Sequence, residues 1–437
     1  MQKGIVATLI ILALVVLVSP GIIGRIAEES VDESLQWAAD ENEDIVVTPE
    51  RFDRGWFSSE GRHRIEIRNP DAQAAIREFL GAESEDGFPT LIIDTRLDHG
   101  LISVTSMARD KGSLAPGLGK GVSTMFIEFP DGETFPLPGT IYSDIGLSGI
   151  VAADYVVEPG SHETADARAD WGAANVEFSS DPKTETVEYS GVFDSITVEA
   201  EGSTLRVGKT EFSGNQQPSP FDIAVGDFDL AMDTVGVEEQ GADAVTFGPL
   251  SMSGNTKLQD DRVNGEASMS IAGLAVPGYG DMGLDIAMRF SDLDGASLGR
   301  LVQALEAADD EMPAQELLLL LEDDLRQLVT AGFELEFDRF DFDLPQGPVT
   351  SKMRFTIAES DDPVFEWASV LLDLDAEADL VVASEFVDFA MATNPQAGAV
   401  VGMGFLRKSG DVYEMRAEYA KGLLTVNGAP MPIPLGN

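Results

Sequence analysis

The chain has 437 residues, with 77 Asp or Glu against 28 Lys or Arg, so its formal net charge is −49. Such an acidic chain repels a phosphate backbone, which argues against nucleic acid as a partner. Cysteine is absent, which excludes disulfides, thiolate nucleophiles and cysteine-based metal sites, and only His63, His99 and His162 could serve acid–base or metal chemistry near neutral pH. Hydrophobic residues still make up 43% of the chain, so we expect it to fold.

The N-terminus predicts a membrane anchor. Residues 4–24 carry no charge, and at about 1.5 Å per residue this length crosses a hydrocarbon core of about 30 Å. Proline follows Ser19 where a signal peptidase needs small, flexible residues, which favours an uncleaved anchor over a cleaved signal peptide. Lys3 precedes the span and four acidic residues follow it within residues 28–33. The positive-inside rule therefore places the N-terminus in the cytoplasm and the bulk of the chain in the periplasm, anchored at the inner membrane.

The acidic charge lies mainly beyond residue 120. Residues 121–437 carry a net charge of −41, whereas residues 45–120 carry only −2. An excess that covers predicted strands and helices alike favours adaptation to a salty medium, where screening weakens self-repulsion, over ordinary solubility charge.

Short elements follow the anchor. The patterns predict helices at residues 26–44 and 71–80 and strands at residues 45–47, 64–68 and 88–106. From residue 126 to 290, short β-rich runs alternate with turn residues and indicate a long meandering sheet without a fixed repeat. The predicted turns include residues 201–203, 213–215 and 263–265.

The last third predicts helices together with strands. Helices are expected at 297–308, from Met312-Pro313 to about residue 330, and at 384–392, and the Leu317–Leu321 block of the second helix is too apolar for an exposed face. Phe333, Leu335 and Phe337 alternate with charges, and Phe340 continues the pattern after a one-residue shift, which predicts a β-bulge. Further strands are predicted at 372–380, 412–419 and 423–426, and the last two form a closing hairpin.

These elements predict an α+β fold that is predominantly β. An N-terminal transmembrane helix precedes a long, mostly antiparallel meandering sheet, with helices toward the C-terminal end. The predicted regions are an anchor at 1–24, an α+β region at 25–120, a β-rich meander at 121–295 and a C-terminal α+β region at 296–437.

Three short blocks carry a resemblance to a known family. They are Arg54-Gly55-Trp56-Phe57-Ser58-Ser59-Glu60, Leu97-Asp98-His99-Gly100, and the run from Tyr419 to Gly428, which contains Asn427. Together with the N-terminal span they resemble the YdgA-like family, bacterial proteins of unknown function anchored at the inner membrane and facing the periplasm. Relatives often continue the His-Gly pair with proline, whereas this chain has Leu101. The resemblance implies the same location and brings no catalytic residue, because none is established for the family.

The residues of these blocks have ordinary structural explanations. Gly55 permits a turn, Trp56 and Phe57 can bury a large apolar area, and Ser58 can satisfy backbone donors, so we interpret the first block as a structural corner with a partner contact as the alternative. His99 before Gly100 is expected to be a hydrogen-bonded histidine at a strand end and not a ligand or base.

Three motifs resemble catalytic or metal-binding sites, but each has a structural interpretation that we favour. Gly295-Ala296-Ser297-Leu298-Gly299 matches a nucleophile elbow, but every histidine precedes it, so Ser297 is interpreted as a helix N-cap. Asp292, Asp294 and Gly295 resemble part of a calcium loop whose first and last positions fail. A row of alternating carboxylates is interpreted as a solvated strand face, with loose cation binding as the alternative: Asp373, Asp375, Glu377 and Asp379.

These observations favour a non-enzymatic, membrane-anchored envelope protein without cofactor or metal. The hypothesis is that its long sheet binds lipid or another apolar ligand, because AsmA-like proteins are similar in combining one N-terminal span with a long periplasmic sheet. The first alternative is a structural or assembly partner that binds another envelope protein through its sheet edges. The second is a periplasmic hydrolase. The sequence leaves open whether the chain forms a homo-oligomer.

Overall fold

The fold is given by a computed structural model. It describes residues 45–54, 58–68, 73, 88–99, 117–130, 132–146, 148–163, 167–181, 183–200, 202–221, 223–239, 244–276, 280–306, 314–360 and 367–431. The predicted membrane span and the helix predicted at 26–44 lie outside the described residues, as do Gly55, Trp56, Phe57 and Gly100. Of the helix predicted at 71–80 only Gln73 is described, and it is helical.

The chain divides into two compact units. The first comprises residues 1–217 with 233–244, and the second comprises residues 218–232 with 245–437. In the described residues the first unit is built from strands, which are β1 Ile45–Arg54, β2 Ser58–Ile67, β3 Thr90–His99, β4 Gly117–Glu128, β5 Thr134–Pro136, β6 Thr140–Gly146, β7 Val151–Val157, β8 Gly160–Glu163, β9 Ala167–Trp171, β10 Ala174–Asp181, β11 Thr186–Phe193, β12 Ile196–Ala200, β13 Ser203–Val207, β14 Thr210–Gln217 and β16 Val235–Glu239.

The strands of the first unit pair in two antiparallel rows. One row runs in the order β1-β2-β3-β4-β6-β7-β10-β11-β14, with β5 on the end of β4. The other runs in the order β8-β9-β12-β13-β16. The sequence-based expectation of a long antiparallel meander is confirmed for this unit.

Two-residue breaks divide what would otherwise be longer strands, and neighbouring breaks lie side by side. Gly172-Ala173 separates β9 from β10, and Asp194-Ser195 separates β11 from β12. The Gly172 N–H donates to the Ser195 carbonyl and the Asp194 N–H donates to the Ala173 carbonyl, each at 2.9 Å. The backbone groups of the breaks are therefore satisfied by each other, and the breaks form a line between the two rows.

One face of the longer row forms the core of the first unit. In β7 every second residue is buried, from Val151 to Val157, and β10 repeats the pattern with Val176 and Phe178, each 4% exposed. Ile127, 1% exposed, lies in the same cluster two strands away from β7. The period of two is the expected signature of a strand with one buried face.

The second unit adds helices to a second run of strands. Its elements are β15 Val225–Met232, β17 Val245–Phe247, β18 Leu250–Gln259, β19 Arg262–Val276, β20 Gly280–Asp294, α1 Gly295–Glu306, α2 Ala314–Ala331, β21 Phe333–Asp343, β22 Val349–Ile357, α3 Trp367–Asp373, β23 Leu374–Ala383, α4 Ser384–Thr393, α5 Pro395–Gly402, β24 Arg407–Ser409, β25 Val412–Ala420, β26 Leu423–Val426 and β27 Ala429–Met431.

Its strands form an antiparallel meander in the order β15-β18-β19-β20-β21-β22-β23-β25-β26-β27. β17 adds to β19 and β24 adds to β25. The helix pair α1–α2 is inserted between β20 and β21, and the pair α4–α5 follows β23. The predicted helices toward the C-terminal end and the predicted closing hairpin are confirmed.

The predicted bulge is also confirmed. The register of β20 against β21 shifts between Ala287 and Met288, where Arg339 and Phe337 are the partners and Asp338 is left over. Phe337 and Phe340 therefore return to the same face of the sheet, as the phase shift in the sequence indicates.

Two predicted turns are wrong. Residues 213–215 lie inside β14 and residues 263–265 lie inside β19. Gly265 pairs with Phe290, and a Cβ placed on Gly265 would lie 2.5 Å from the Phe290 ring. That glycine accommodates an aromatic ring of the neighbouring strand and does not reverse the chain. The turn at 201–203 is confirmed by the pairing of Ala200 with Ser203.

Regular elements continue across residues 120 and 295, where boundaries between regions were predicted. β4 continues through residue 120 and pairs with β3 and β6 on its two sides, so both parts belong to one sheet. At residue 295, β20 passes directly into α1, and Leu301 of α1 packs on Leu293 of β20. Shared cores hold these stretches together.

Candidate functional site

The sheet of the second unit carries an uninterrupted apolar side. Cross-strand register places Met252 beside Met269, Met269 beside Ile286 and Ile286 beside Phe340. Side chains of directly opposite residues share a face, so these residues lie on one side of the sheet. We call this side the apolar face, and its central residues are Met252, Met269, Ile286, Met288, Phe337, Phe340, Phe342 and Met353.

The centre of the apolar face is only half-buried. Met252 is 37% exposed, and the other seven central residues are intermediate between buried and exposed. The core residues of the first unit are far more buried, as Phe178 at 4% illustrates. A large apolar surface without full cover is typical of a ligand or partner site.

Phenylalanines form a continuous aromatic ridge on this face. The Phe340 and Phe342 rings meet edge to face with centroids 5.1 Å apart, and Phe337 meets Phe340 in the same way at 6.1 Å. The bulge at Asp338 is what brings all three rings to one side. Edge-to-face pairs of this kind hold the rings in defined positions even where one side of each ring is uncovered.

Among the residues that the structure describes, helices cover the two ends of the apolar face, and the centre between them is half-buried. Leu301 of α1 and Leu328 of α2 pack together, against Leu293 and Phe333 at one end of β20 and β21. At the opposite end, Val387 of α4 packs on Val382 and Tyr413. The central residues lie between these two clusters, so the site has covered ends and an apolar floor.

The expectation that Leu317–Leu321 is buried is only half right. Leu321 is 7% exposed and Leu317 packs in the helix cluster, but Leu319 is 71% and Leu320 is 52% exposed. α2 packs along one side only, so leucines a residue or two apart point in different directions.

The opposite side of the sheet is charged and carries ion pairs. Arg289 binds Asp338 through Nε and Nη2 at 2.6 and 2.7 Å and reaches Glu336 at 3.0 Å. The hydrogen bonds from Arg289 hold the pKa of Asp338 below its usual value. Arg339 pairs with Asp285 at 2.8 Å on the next strand. These exposed pairs mark the solvent side of the sheet.

The predicted carboxylate row lies on this charged side. Asp375, Glu377 and Asp379 are exposed at alternate positions of β23, whereas Asp373 ends α3 and is not on the strand. Glu377 lies 3.3 Å from Arg354. Within the ranges that the structure describes, no group of three or more His, Cys, Asp or Glu side chains could hold a metal ion.

The first two family-like blocks meet in space. β1 and β2 form a hairpin in which Arg54 is opposite Ser59, and the start of β2 pairs with the end of β3, so Ser58 is opposite Asp98. The backbone of His99 is opposite Gly119. Ser59 and Asp98 are each 2% exposed.

The third block contains a turn that is held by side-chain hydrogen bonds. Asn427 has a φ of +51° and Gly428 a φ of +76°, the left-handed conformation that these two residue types adopt most readily. The Asn427 side chain donates to the carbonyls of Gly404 and Phe405 at 3.0 Å and accepts from the Arg416 N–H at 2.9 Å. Asn427 therefore fixes the closing hairpin to the segment before β24.

Ser297 was predicted to be a helix N-cap, and this is wrong, because Ser297 lies in the first turn of α1. It is fully buried, and its N–H and Oγ both donate to Asp294 Oδ1, at 2.9 and 2.6 Å. Asp294 precedes the helix and is the residue that caps it. Arg300 joins the network, donating to Ser297 Oγ at 3.3 Å and to Asp324 of α2 at 2.5 Å.

The methionines of the apolar face were not among the candidate residues expected from the sequence. The signal was present as two Ser-Met-Ser triplets, at 251–253 and 268–270. The triplets lie opposite each other, with Met252 beside Met269 and a hydrogen bond of 2.7 Å between Ser253 Oγ and Ser268 Oγ. Alternating serine and methionine is typical of a strand with one polar and one apolar side.

Comparisons with known proteins give one match. The model of a family described as bacterial protein of unknown function (DUF945) matches residues 1–434. No curated protein and no solved structure matches the chain. Among the described helices, none is both long and apolar enough to cross a membrane.

Proposed function

This chain belongs to the DUF945 family of bacterial proteins of unknown function, and from that premise we propose that it is a non-enzymatic, membrane-anchored envelope protein whose apolar face binds a lipid. The observation that carries the proposal is the half-buried centre of the apolar face between its two helix-covered ends. The bulk of the chain would face the periplasm, as the charges around residues 4–24 predict.

The size of the apolar face supports an acyl chain as the ligand. From Met252 on β18 to Met353 on β22 the face crosses five strands, and four spacings of about 4.8 Å give about 19 Å. A bilayer hydrocarbon core of about 30 Å holds two chain lengths, so one acyl chain extends about 15 Å. A single chain laid across the strands would therefore span about three of these four spacings and contact central residues of about four strands.

The chemistry of the apolar face supports the same ligand. Each methylene removed from water contributes about 0.8 kcal/mol, and the floor offers only thioether, alkyl and phenyl groups for this contact. Four of its eight central residues are methionines, whose flexible side chains adapt to ligands of variable shape. The opposite side of the sheet carries Arg289, Asp338 and Glu377. An apolar ligand would therefore bind to the apolar face and not to the charged side.

The geometry of Ser297 supports a binding role over a hydrolase. Its hydroxyl is buried and donates to a carboxylate, whereas a nucleophile must face a substrate and a general base. The three histidines of the sequence lie on β2, β3 and β8 of the first unit. Ser297 belongs to the second unit.

Single cysteines test the ligand site, because the natural chain has none. Met269→Cys places a thiol on the apolar face, and Ser270→Cys places one at the next position, on the charged side. We expect a lysophosphatidylcholine to slow the maleimide reaction of the first thiol at least about tenfold, equivalent to about 1.4 kcal/mol, and to leave the second unchanged.

Equal rates for the two thiols with and without lipid, in protein that remains folded by circular dichroism, would overturn the proposal. Protection of both thiols would favour a protein-like partner or self-association over a lipid on one face. The anchor is tested separately by washing membranes with alkaline carbonate, which should leave the intact protein in the pellet. Mature protein starting near Gly21 in the soluble periplasmic fraction would contradict it.

A further inference from the structure

The first unit contains a small apolar cavity beside its line of strand breaks. The cavity measures about 40 Å³, and aromatic and aliphatic side chains of six strands line it, among them Phe135, Tyr155, Trp171, Ala174, Phe193 and Ile196. A water-sized group needs about 10 to 15 Å³ on this measure, so the cavity holds about three such groups in line or cluster.

The polar atoms of the cavity walls are turned away from its interior. The Tyr155 hydroxyl donates to the Pro138 carbonyl at 2.6 Å, and the Trp171 Nε1–H donates to the Glu158 carbonyl at 3.1 Å. Both donors are therefore already used. A water molecule inside would find too few hydrogen-bond partners, and a cavity of this kind stays dry or takes an apolar guest.

The wall next to Trp171 depends on a glycine. A Cβ on Gly160 would lie 2.9 Å from the indole, so only glycine allows the ring to lie flat against β8. Asp194 and Ser195, which also line the cavity, are exposed and form its rim at the break between β11 and β12. The cavity is thus apolar inside and opens beside a carboxylate.

We propose that this cavity binds the terminal methyl end of a lipid alkyl chain. The walls and volume fit the last two or three carbons of a chain and no polar group. The inference rests on the proposed function in naming lipid as the ligand, but it concerns a different unit. An experiment can therefore refute the cavity site without refuting the lipid site on the apolar face, and the reverse.

Trp171 provides the readout. In the full chain, replacing Trp37, Trp56 and Trp367 by phenylalanine leaves Trp171 as the sole indole. Bromine quenches tryptophan fluorescence on contact, so a lysophosphatidylcholine brominated at its chain end should quench Trp171 strongly. The same lipid brominated next to its headgroup should quench it several-fold less.

Filling the cavity gives the matched comparison. Ala174→Val adds two carbon atoms at a lining residue of β10 and should abolish the chain-end quenching, whereas Ala152→Val, at an exposed position of β7, should leave it unchanged. If Ala174→Val does not fold, Val157→Ala enlarges the cavity instead and should increase the quenching at a given lipid concentration.

Quenching that does not depend on bromine position, or that survives in folded Ala174→Val, would overturn the inference. Loss of quenching in Ala174→Val with intact lipid protection of the Met269→Cys thiol would support both proposals as two sites. Absence of Trp171 quenching together with protection of that thiol would refute the cavity and leave the apolar face standing.

Discussion

Truncating Phe340 to alanine tests whether the apolar face is open. Phe340 lies at the centre of that face, half-buried, between the rings of Phe337 and Phe342. Phe178→Ala in the first unit is the matched control, because Phe178 is a 4% exposed phenylalanine of a closed core.

The expected magnitudes differ because only one site would become a cavity. Removing a fully buried phenylalanine costs about 3 to 5 kcal/mol, part of which is the empty space left behind. At Phe340 the loss consists of two edge-to-face pairs at about 0.5 to 1.5 kcal/mol each and little cavity cost, since the space is already open. We therefore expect about 2 kcal/mol for Phe340→Ala and about twice that for Phe178→Ala.

Hydrogen exchange measured by mass spectrometry is the appropriate assay. With two compact units a single two-state free energy is not defined, whereas exchange reports the opening free energy of each unit from its own peptides. Peptides of β20 to β22 report Phe340→Ala, and peptides of β7 and β10 report Phe178→Ala. A loss of about 3 to 5 kcal/mol at Phe340 would mean that protein seals the apolar face, and would exclude an open site there.

Three further outcomes follow from the charges and from Ser297. Since the net charge is −49, the melting temperature should rise as NaCl increases from about 0.01 M to about 1 M and the Debye length falls from about 30 Å to about 3 Å; a flat or falling curve would contradict self-repulsion. Because Arg289 lowers the pKa of folded Asp338, this pair stabilises the protein above the unfolded aspartate pKa of about 3.9, and that contribution is lost as pH falls through the folded value. Asp338→Asn should therefore reduce the stability difference between pH 6 and pH 3, and an unchanged difference in denaturant titrations would exclude the pair as a contributor. Ser297→Ala should cost about 1 kcal/mol and still complement a deletion, as should His99→Ala; folded, abundant Ser297→Ala protein without complementation would favour the hydrolase.

The sequence predicted the fold best where alternation was strict. In β21 the phase shift between Phe337 and Phe340 located a bulge to within one residue. Apolar residues alternate with a period of two in a strand, so a break in the alternation marks the extra residue. The helices at α1, α2 and α4 were found from their apolar periodicity. Local pattern was sufficient in these segments.

Prediction failed where a distant strand decides the conformation. Gly214 and Gly265 suggested turns, but each lies in a strand opposite an aromatic residue, Tyr189 and Phe290 respectively. The line of breaks in the first unit was also missed. It depends on hydrogen bonds between neighbouring breaks, such as Gly172 with Ser195, and nothing within either segment marks the partner.

The sequence predicted the kind of site, an apolar side of a long sheet, but not which strands form it. Alternating apolar and polar residues predicted strands with one apolar side. Whether the apolar residues of several strands form one surface depends on which strands are neighbours in the sheet. Met252 and Met269 become neighbours only through the hairpin of β18 and β19, and Phe340 joins them through β20. The cavity beside Trp171 depends on six strands and had no sequence signal of its own.

Lipid binding on the apolar face can be measured by mass spectrometry of the lipid that the detergent-extracted full-length protein retains. We expect a lipid adduct on the natural protein and on Ser270→Asp, whose new charge lies on the polar side of β19. Met269→Asp places the charge on the apolar face, where an unpaired carboxylate opposes an alkyl chain, and should remove the adduct. Natural protein without lipid, or folded Met269→Asp that retains as much lipid as Ser270→Asp, would show that the apolar face is not a lipid site.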